Sequence, residues 1–239
     1  MTRKYDIPSS VKPLHDKALF VWIESGIRLS PRGRTYLSSF MPDCFEAYVR
    51  ILHPAYELGA DIPVSWGEIA GQRGTTLHAA ACFEALAGGT NRQWQDPTLG
   101  QMPEATGKEL AGILGKFTQS KIHYFGIWEG YPRMRPILEQ AVCVSLPGRV
   151  YGLFSGSLDT VLALIEERKL LNGPNLWWPA DKAWLCVSDI DEVSTYVGGS
   201  QACISEILAS GLEAFEVEID ARIDPASDTV NQGGDTINN

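Results

Sequence analysis

Leu146-Pro147-Gly148-Arg149 stands between two short runs that read as strands, residues 141–145 and 150–154. Proline presets φ and glycine accepts a positive φ, so Pro-Gly at the centre of four residues is a turn with a mechanism. The segment therefore predicts a β-hairpin. A hairpin is an antiparallel pair, which excludes an all-parallel sheet and an all-helical bundle.

The other segments mix both periods. Phe45, Ala47, Val49 and Ile51 alternate with Glu46, Tyr48 and Arg50, predicting a strand over 44–53 with one apolar face, ended by Pro54. Residues 19–23 are a short apolar run read as a strand, followed by a long loop over 26–43 made basic by Arg28, Arg32 and Arg34. Residues 122–128, aromatic on both faces, predict a strand buried in the sheet. Strands are also expected over 183–188, 194–197 and around Phe215, Val217 and Ile219, the last with Glu216 and Glu218 on a wet face. Ser65-Trp66-Gly67-Glu68 and Thr106-Gly107-Lys108-Glu109 fit capping boxes. Residues 76–87 form a second short helix candidate before Gly88-Gly89. Leu110, Ile113, Leu114 and Phe117, then Leu158, Val161, Leu162 and Ile165, are spaced as buried helical stripes. Residues 200–209 predict a last helix with Ile204, Ile207 and Leu208 inward. The expected fold is α+β: a mostly antiparallel or mixed sheet covered by amphipathic helices. One globular domain over 1–223 is expected, with the polar, turn-rich 90–105 as the candidate internal boundary and 224–239 as a disordered tail.

Composition narrows the partners. With 239 residues, 44% of them hydrophobic, a core can form without metal or disulfide support. A formal charge of −9 argues against nucleic acid, which needs a basic face, and admits a basic protein or a cationic ligand. The five cysteines are scattered, with no C-x-x-C, so reduced and mostly buried thiols are expected. No apolar run is long enough for a signal core or a membrane span, so no membrane partner and a cytoplasmic setting are expected. Dinucleotide-binding, Walker A, H-E-x-x-H and G-x-S-x-G motifs are absent, which removes the commonest nucleotide, metalloprotease and hydrolase readings.

Five segments together resemble a group of uncharacterised bacterial proteins, mostly actinobacterial. They are Gly126-Ile127-Trp128-Glu129-Gly130, Leu146-Pro147-Gly148-Arg149 with Tyr151, Phe154-Ser155-Gly156, Trp177-Trp178-Pro179-Ala180-Asp181 and Thr195-Tyr196-Val197-Gly198-Gly199-Ser200. The similarity runs over about residues 19–219. It implies one domain, a bacterial origin and a cytoplasmic setting. It brings no activity, cofactor or catalytic residue with it.

The chemistry-bearing residues of the second half concentrate in three places: Trp128-Glu129, Arg149 with Tyr151, and residues 176–200. A pocket is predicted where these meet. Arg149, just after a Pro-Gly turn, can reach a ligand anion, or pair with Glu129 or Asp181 as a structural bridge. Trp177 and Trp178 precede a proline and face opposite ways when extended; one of them is hard to bury and would wall the opening beside Asp181. Asp189 and Asp191 at i, i+2 suit a divalent cation or a divided acid–base role, and equally suit capping their own turn. No third acid stands at a metal-like spacing, so neither metal nor cofactor is assigned. Gly198, Gly199 and Ser200 open a helix whose amides could hold an anion, or Ser200 simply caps it. None of His15, His53, His78 and His123 is paired at ligand spacing.

Three functions fit: a non-catalytic binding or regulatory domain with a tryptophan-lined cleft, an enzyme acting on a small anionic substrate, or an acidic, immunity-type interaction protein. The first is preferred, because no catalytic constellation rises above its structural explanation. The partner, small molecule or protein, is not named by the sequence.

Overall fold

The computed structural model of the chain describes residues 9–88, 93–131, 135–166 and 173–231. The first half runs β1 (Lys12–Pro13), α1 (Val21–Gly26), β2 (Ala47–Leu52), β3 (Ala55–Glu57), β4 (Pro63–Val64), α2 (Trp66–Arg73), α3 (Phe83–Ala87), β5 (Trp94–Gln95) and α4 (Glu104–Leu114). The second runs β6 (His123–Trp128), α5 (Arg135–Leu138), β7 (Cys143–Leu146), β8 (Arg149–Gly156), α6 (Leu158–Glu166), β9 (Leu176–Pro179), β10 (Leu185–Val187), β11 (Ser194–Gly199), α7 (Gln201–Leu208) and β12 (Ala214–Val217).

The fold is α+β. The principal sheet has the spatial order β1-β8-β6-β9-β10-β11-β2-β12, and β7 shares one edge of β8 with β1. The Pro-Gly hairpin is β7–β8: Leu146 pairs with Arg149, and Gly148 takes φ 74°. Every described pairing is antiparallel, and α6 and α7 are crossovers between strands that are not neighbours. α6 links β8 to β9 on either side of β6, and α7 links β11 to β12 on either side of β2.

Both crossovers and α4 lie on one face. There Leu110, Leu114, Val161, Ile165, Ile204 and Ile207 pack on Val49, Ile51, Phe125, Phe154, Trp177 and Val197. The opposite face, with Tyr48, Tyr151, Leu153, Trp178, Val187 and Tyr196, is covered by Phe20, Ile23, Leu37, Phe40 and Met41. A third cluster joins the small sheet β4-β3-β5 to α2 and α3 around Trp66 and Phe83. The Glu213 carboxylate accepts from Trp66 and Gly67 N–H at the amino end of α2, at 2.7 Å each, and ties this cluster to the lead of β12.

The two-sided cover explains most departures from expectation. Residues 17–26 are a 3-10 turn running into α1 rather than a strand, and they supply Phe20 and Ile23 to the second face. β2 has no wet face; all six of its residues are buried. Trp177 and Trp178 do face opposite ways, but as part of β9 each meets a core, and their exposures are 0% and 1%. The Ser65 cap forms as predicted, with its hydroxyl accepting from Glu68 N–H at 3.1 Å. Thr106 caps nothing, because α4 begins at Glu104, just after Pro103. The 76–87 helix shrinks to α3.

Within the candidate boundary, residues 90–92 lie outside the described residues. The rest is tied in on both sides: Gln95 pairs with Tyr56, and Gly100 N–H donates to the Glu192 carbonyl at 2.9 Å. Disorder from 224 is corrected. Asp228 is fully buried and accepts from Cys82 N–H at 2.9 Å, while Asn231 accepts from Thr76 N–H at 3.0 Å. This strap docks by polar contacts to irregular backbone, which leave no apolar periodicity to read. Residues 232–239 lie outside the described residues. The cysteines are free, as expected, but Cys44 and Cys143 are exposed; Cys143 sits on the outward side of the edge strand β7. Among the described residues no helix is long and apolar enough to cross a membrane.

Candidate functional site

The turn at 189–192, between β10 and β11, is held from several sides. Asp189 accepts from Asp191 N–H at 3.0 Å through its carboxylate and from Glu192 N–H at 3.1 Å through its carbonyl. Just before it, Asn175 donates to the Ser188 carbonyl at 3.1 Å, and the Ser188 and Thr195 hydroxyls meet at 2.7 Å, with His53 Nε2 at 2.8 Å from Thr195 Oγ1. Gly100 presses from outside: a Cβ there would lie 2.8 Å from the Ile190 backbone, and its φ is +70°. Only glycine fits that approach.

Arg149 is drawn to this turn. Its Nη2 donates to Asp189 Oδ1 at 3.2 Å and to Asp191 Oδ2. Burial works against its charge, but Asp189 and Asp191 together hold the guanidinium more firmly protonated than usual. The structural bridge exists, therefore, with Asp189 and Asp191 in place of Glu129 or Asp181. Both aspartates are thereby occupied, and among the described residues no group of three His, Cys, Asp or Glu is placed to hold a metal.

Two cavities flank the turn and share Asp191 and Glu192. The smaller, about 260 Å³, is lined by Arg149, Tyr151, Asp189, Leu29 and Phe40 among others. The larger, about 330 Å³, has Arg50, Phe83, Leu99, Val193 and Ile223 on its walls, with Asp224 at its side. Neither is lined by tryptophan.

Close to the turn lie three polar groups whose bonding capacity is not met among the described residues: Arg50 and Glu192 on the wall of the larger cavity, and Tyr196, which lines neither. Arg50 is 5% exposed; its Nε donates to Ser194 Oγ at 3.0 Å and its Nη1 to the carbonyls of Ala79 and Ala81, both at 2.9 Å, while Nη2 donates to no described residue. The guanidinium also lies 5.6 Å from the centre of the Trp66 ring. The Glu192 carboxyl accepts no hydrogen bond from a described residue. Burial pushes it up to about 8, against the pull of Arg50, and Asp189, Asp191 and Asp224 add to the rise. The Tyr196 hydroxyl is wholly buried and without a partner, and burial raises it while Arg50 opposes and Glu192 adds. A carboxyl poised near neutrality beside a cavity is a functional-site signature.

The predicted site residues divide between the two ends of the sheet. Arg149, Tyr151, Asp189 and Asp191 come together at the smaller cavity. Trp128 pairs with Tyr151 across the strands but packs edge-on against Tyr131 at 5.2 Å, outside that lining; Glu129 is exposed beside it. Neither of these two cavities, formed by described residues, joins Trp128 to Arg149 and Asp189. Trp177 and Trp178 are sealed in the two cores, so neither walls an opening. Asp181 lies at the other end of β10, where its carboxylate accepts from Gln119 N–H at 2.9 Å and from Thr118. Burial pulls its pKa up, but the bonds from Thr118, Gln119 and Ala183 hold it below the usual range.

Gly198, Gly199 and Ser200 are also at that far end. A Cβ on Gly198 would come 2.4 Å from the Phe45 ring, so the glycine serves packing. Ser200 caps α7 by accepting from Cys203 N–H at 3.2 Å, and the Glu46 carboxylate already accepts from Gln201 N–H at 2.9 Å. An internal carboxylate thus occupies the place read as an anion site. Sequence reasoning missed Arg50, Glu192 and Tyr196. The available signal was a charged residue inside a strand pattern and a third acid directly after Asp191.

No family model, curated protein or solved structure matches the chain.

Proposed function

We propose that the protein is a binding domain that holds a small organic molecule beside the 189–192 turn, in the cavity lined by both Arg50 and Glu192. One observation supports this above the others. A buried cation and a partly buried carboxyl line one cavity, and among the described residues neither has its full set of partners. Both groups line the cavity, so a molecule that bonds them gains at each about what a hydrogen bond to a charged group contributes, about 1.5–3 kcal/mol. The aliphatic and aromatic walls supply the remaining affinity, at a volume near the lower end for small-molecule sites. The tryptophan lining expected from the sequence forms no part of this reading.

The test is a thermal-shift screen of the intact chain against a broad fragment library, repeated with Glu192→Gln. Compounds at about a hundred times Kd should stabilise the wild type by about 2.7 kcal/mol, and the variant clearly less. A library that yields nothing, or hits indifferent to Glu192, removes the reading. Acid–base chemistry on the bound molecule is a second reading, favoured by the Glu192 carboxyl near 8. Incubation of a confirmed binder with wild type and Glu192→Gln, followed by mass spectrometry, decides it: a product formed by the wild type alone makes the protein an enzyme.

A further inference from the structure

We infer that the molecule bound between Arg50 and Glu192 is a zwitterion of amino-acid size, its carboxylate toward Arg50, its ammonium toward Glu192 and an apolar side chain against Phe83, Leu99 and Ile223. This deepens the proposal of a small-molecule site and rests on it.

The ionisable groups of the wall and their partners point to this ligand. Besides Glu192, four other carboxylates line the cavity: Asp191 pairs with Arg149, Asp224 pairs with Arg222 at 2.7 Å, and Glu84 and Asp96 are exposed to solvent. Arg50 and Glu192, neither of them exposed, remain on that wall; an ammonium beside Glu192 would draw its carboxyl into the ionised form. Among the described residues the two form no ion pair with each other. The reason is mechanical. Arg50 is pinned by Ser194 and by the carbonyls of Ala79 and Ala81, while Glu192 belongs to a turn fixed by Asp189 and Gly100. The guanidinium and the backbone that carries the carboxyl are therefore both held in place.

A simple amine would satisfy Glu192 and leave the guanidinium short. A simple carboxylate would do the reverse and add an anion to an already acidic wall. A molecule carrying both charges a few bonds apart answers both groups and brings no net charge into the cavity. Phe83, Leu99, Val193 and Ile223 give the wall an apolar stretch that offers no bonds, beside the polar Cys82 and Ser227. That selects an aliphatic or aromatic side chain over a polar one, and the space of about 330 Å³ limits its size.

The experiment is isothermal titration of the intact protein with each of the twenty amino acids, followed by two analogues of the best binder. One is its amide, which loses the carboxylate; the other is its N-acetyl derivative, which loses the ammonium. An apolar amino acid is expected to bind, and each analogue at least tenfold more weakly, about 1.4 kcal/mol. Glu192→Gln should weaken the amino acid tenfold or more and leave the N-acetyl derivative unchanged. Because the analogues are compared on the wild type, the conclusion does not depend on an Arg50 variant that folds. An amide that binds as tightly as the parent shows a cation site and overturns the inference; an N-acetyl derivative that does so shows an anion site and overturns it too. If no amino acid binds while a fragment of other chemistry does, in a Glu192-dependent way, the zwitterion is wrong and the binding site stands. If neither binds, both fail.

Discussion

Glu192→Gln should stabilise the folded protein, and by an amount that grows with pH. The ordinary value for the group is 4.5, and in the fold it rises to about 8, mainly through burial. Glu192 therefore takes up a proton on folding across that interval. Its contribution is intact below about pH 4.5 and is lost as pH rises through 8, because the folded state then has to accept a buried negative charge. At about 1.4 kcal/mol per pH unit the interval amounts to about 5 kcal/mol. The group is only partly buried, and water entering the cavity screens it, so about 2–3 kcal/mol is the expected loss. Glutamine reproduces the neutral acid in shape and cannot ionise. Urea denaturation at pH 5, 7 and 9 measures the difference: the variant should match the wild type within about 1 kcal/mol at pH 5 and exceed it by about 2–3 kcal/mol at pH 9. Titration of other groups cancels in the comparison. Parallel curves, or a variant less stable at pH 9, would mean that the carboxylate is ionised and partnered, and the reasoning about this cavity would fail at its first step.

Three further outcomes are expected. Asp228→Ala should cost about 2–4 kcal/mol, because the buried carboxylate bonds Cys82 N–H, Asn231 and His78. Hydrogen bonds hold that carboxylate down at about 2 despite its burial, so its contribution is present above about pH 4 and disappears as pH falls toward 2; denaturation curves at pH 7 and pH 2.5 check both points. Arg149→Ala should lower stability by about 2–3 kcal/mol by leaving Asp189, itself 7% exposed, without its cation; a variant as stable as the wild type would show that the bridge is idle. His123→Phe should gain about 1 kcal/mol, because both ring nitrogens are buried and, among the described residues, only the Lys121 backbone comes near enough to act on them as a hydrogen-bond partner, short of good geometry. Burial keeps His123 neutral, with Asp181 opposing weakly, so the wild type loses stability as pH falls through the unfolded value near 6.5 and the gap to the variant widens between pH 7 and 5.

Local signals carried the fold further than they carried the site. The Pro-Gly turn, the Ser65 and Ser200 caps and the stripes of α4 and α6 each depend on residues close in sequence, and each forms. What local patterning could not supply was the cover on the second face. The residues that make it, Phe20, Ile23, Leu37, Phe40 and Met41, come from segments read as a strand and a loop. Without that cover Arg50 reads as solvent-facing and one of the adjacent tryptophans reads as exposed. With it, Arg50 becomes a buried cation and both tryptophans become core. The same omission moved the site. Rings and glycines drew attention along the whole of 176–200, although only the turn at 189–192 combines chemistry with space.

The location of that space follows from how the cores meet. The face containing Tyr48 and Tyr196 ends where the cluster around Trp66 and Phe83 begins, and Arg50 lies across the seam, bonded to Ser194 on β11 and placed over the Trp66 ring. Ile223 belongs to one cluster and Phe83 to the other, yet both line the same cavity. Within a single core, a guanidinium, a carboxyl and a phenol with unmet bonds would be replaced by apolar side chains at little loss and often with a gain in stability. At a seam two independently shaped surfaces leave a gap that neither fills, and polar groups there can stay short of partners while the rest of the fold carries them. The strap through Asp224 and Asp228 closes the outer side of that gap and fixes its shape. On the function proposed above, a cavity so placed, with Arg50 and the turn of Glu192 held by rigid elements, is organised for its ligand in advance. That preorganisation lowers the ordering cost of binding, and it is why removing a carboxyl group should strengthen the fold and weaken its function together.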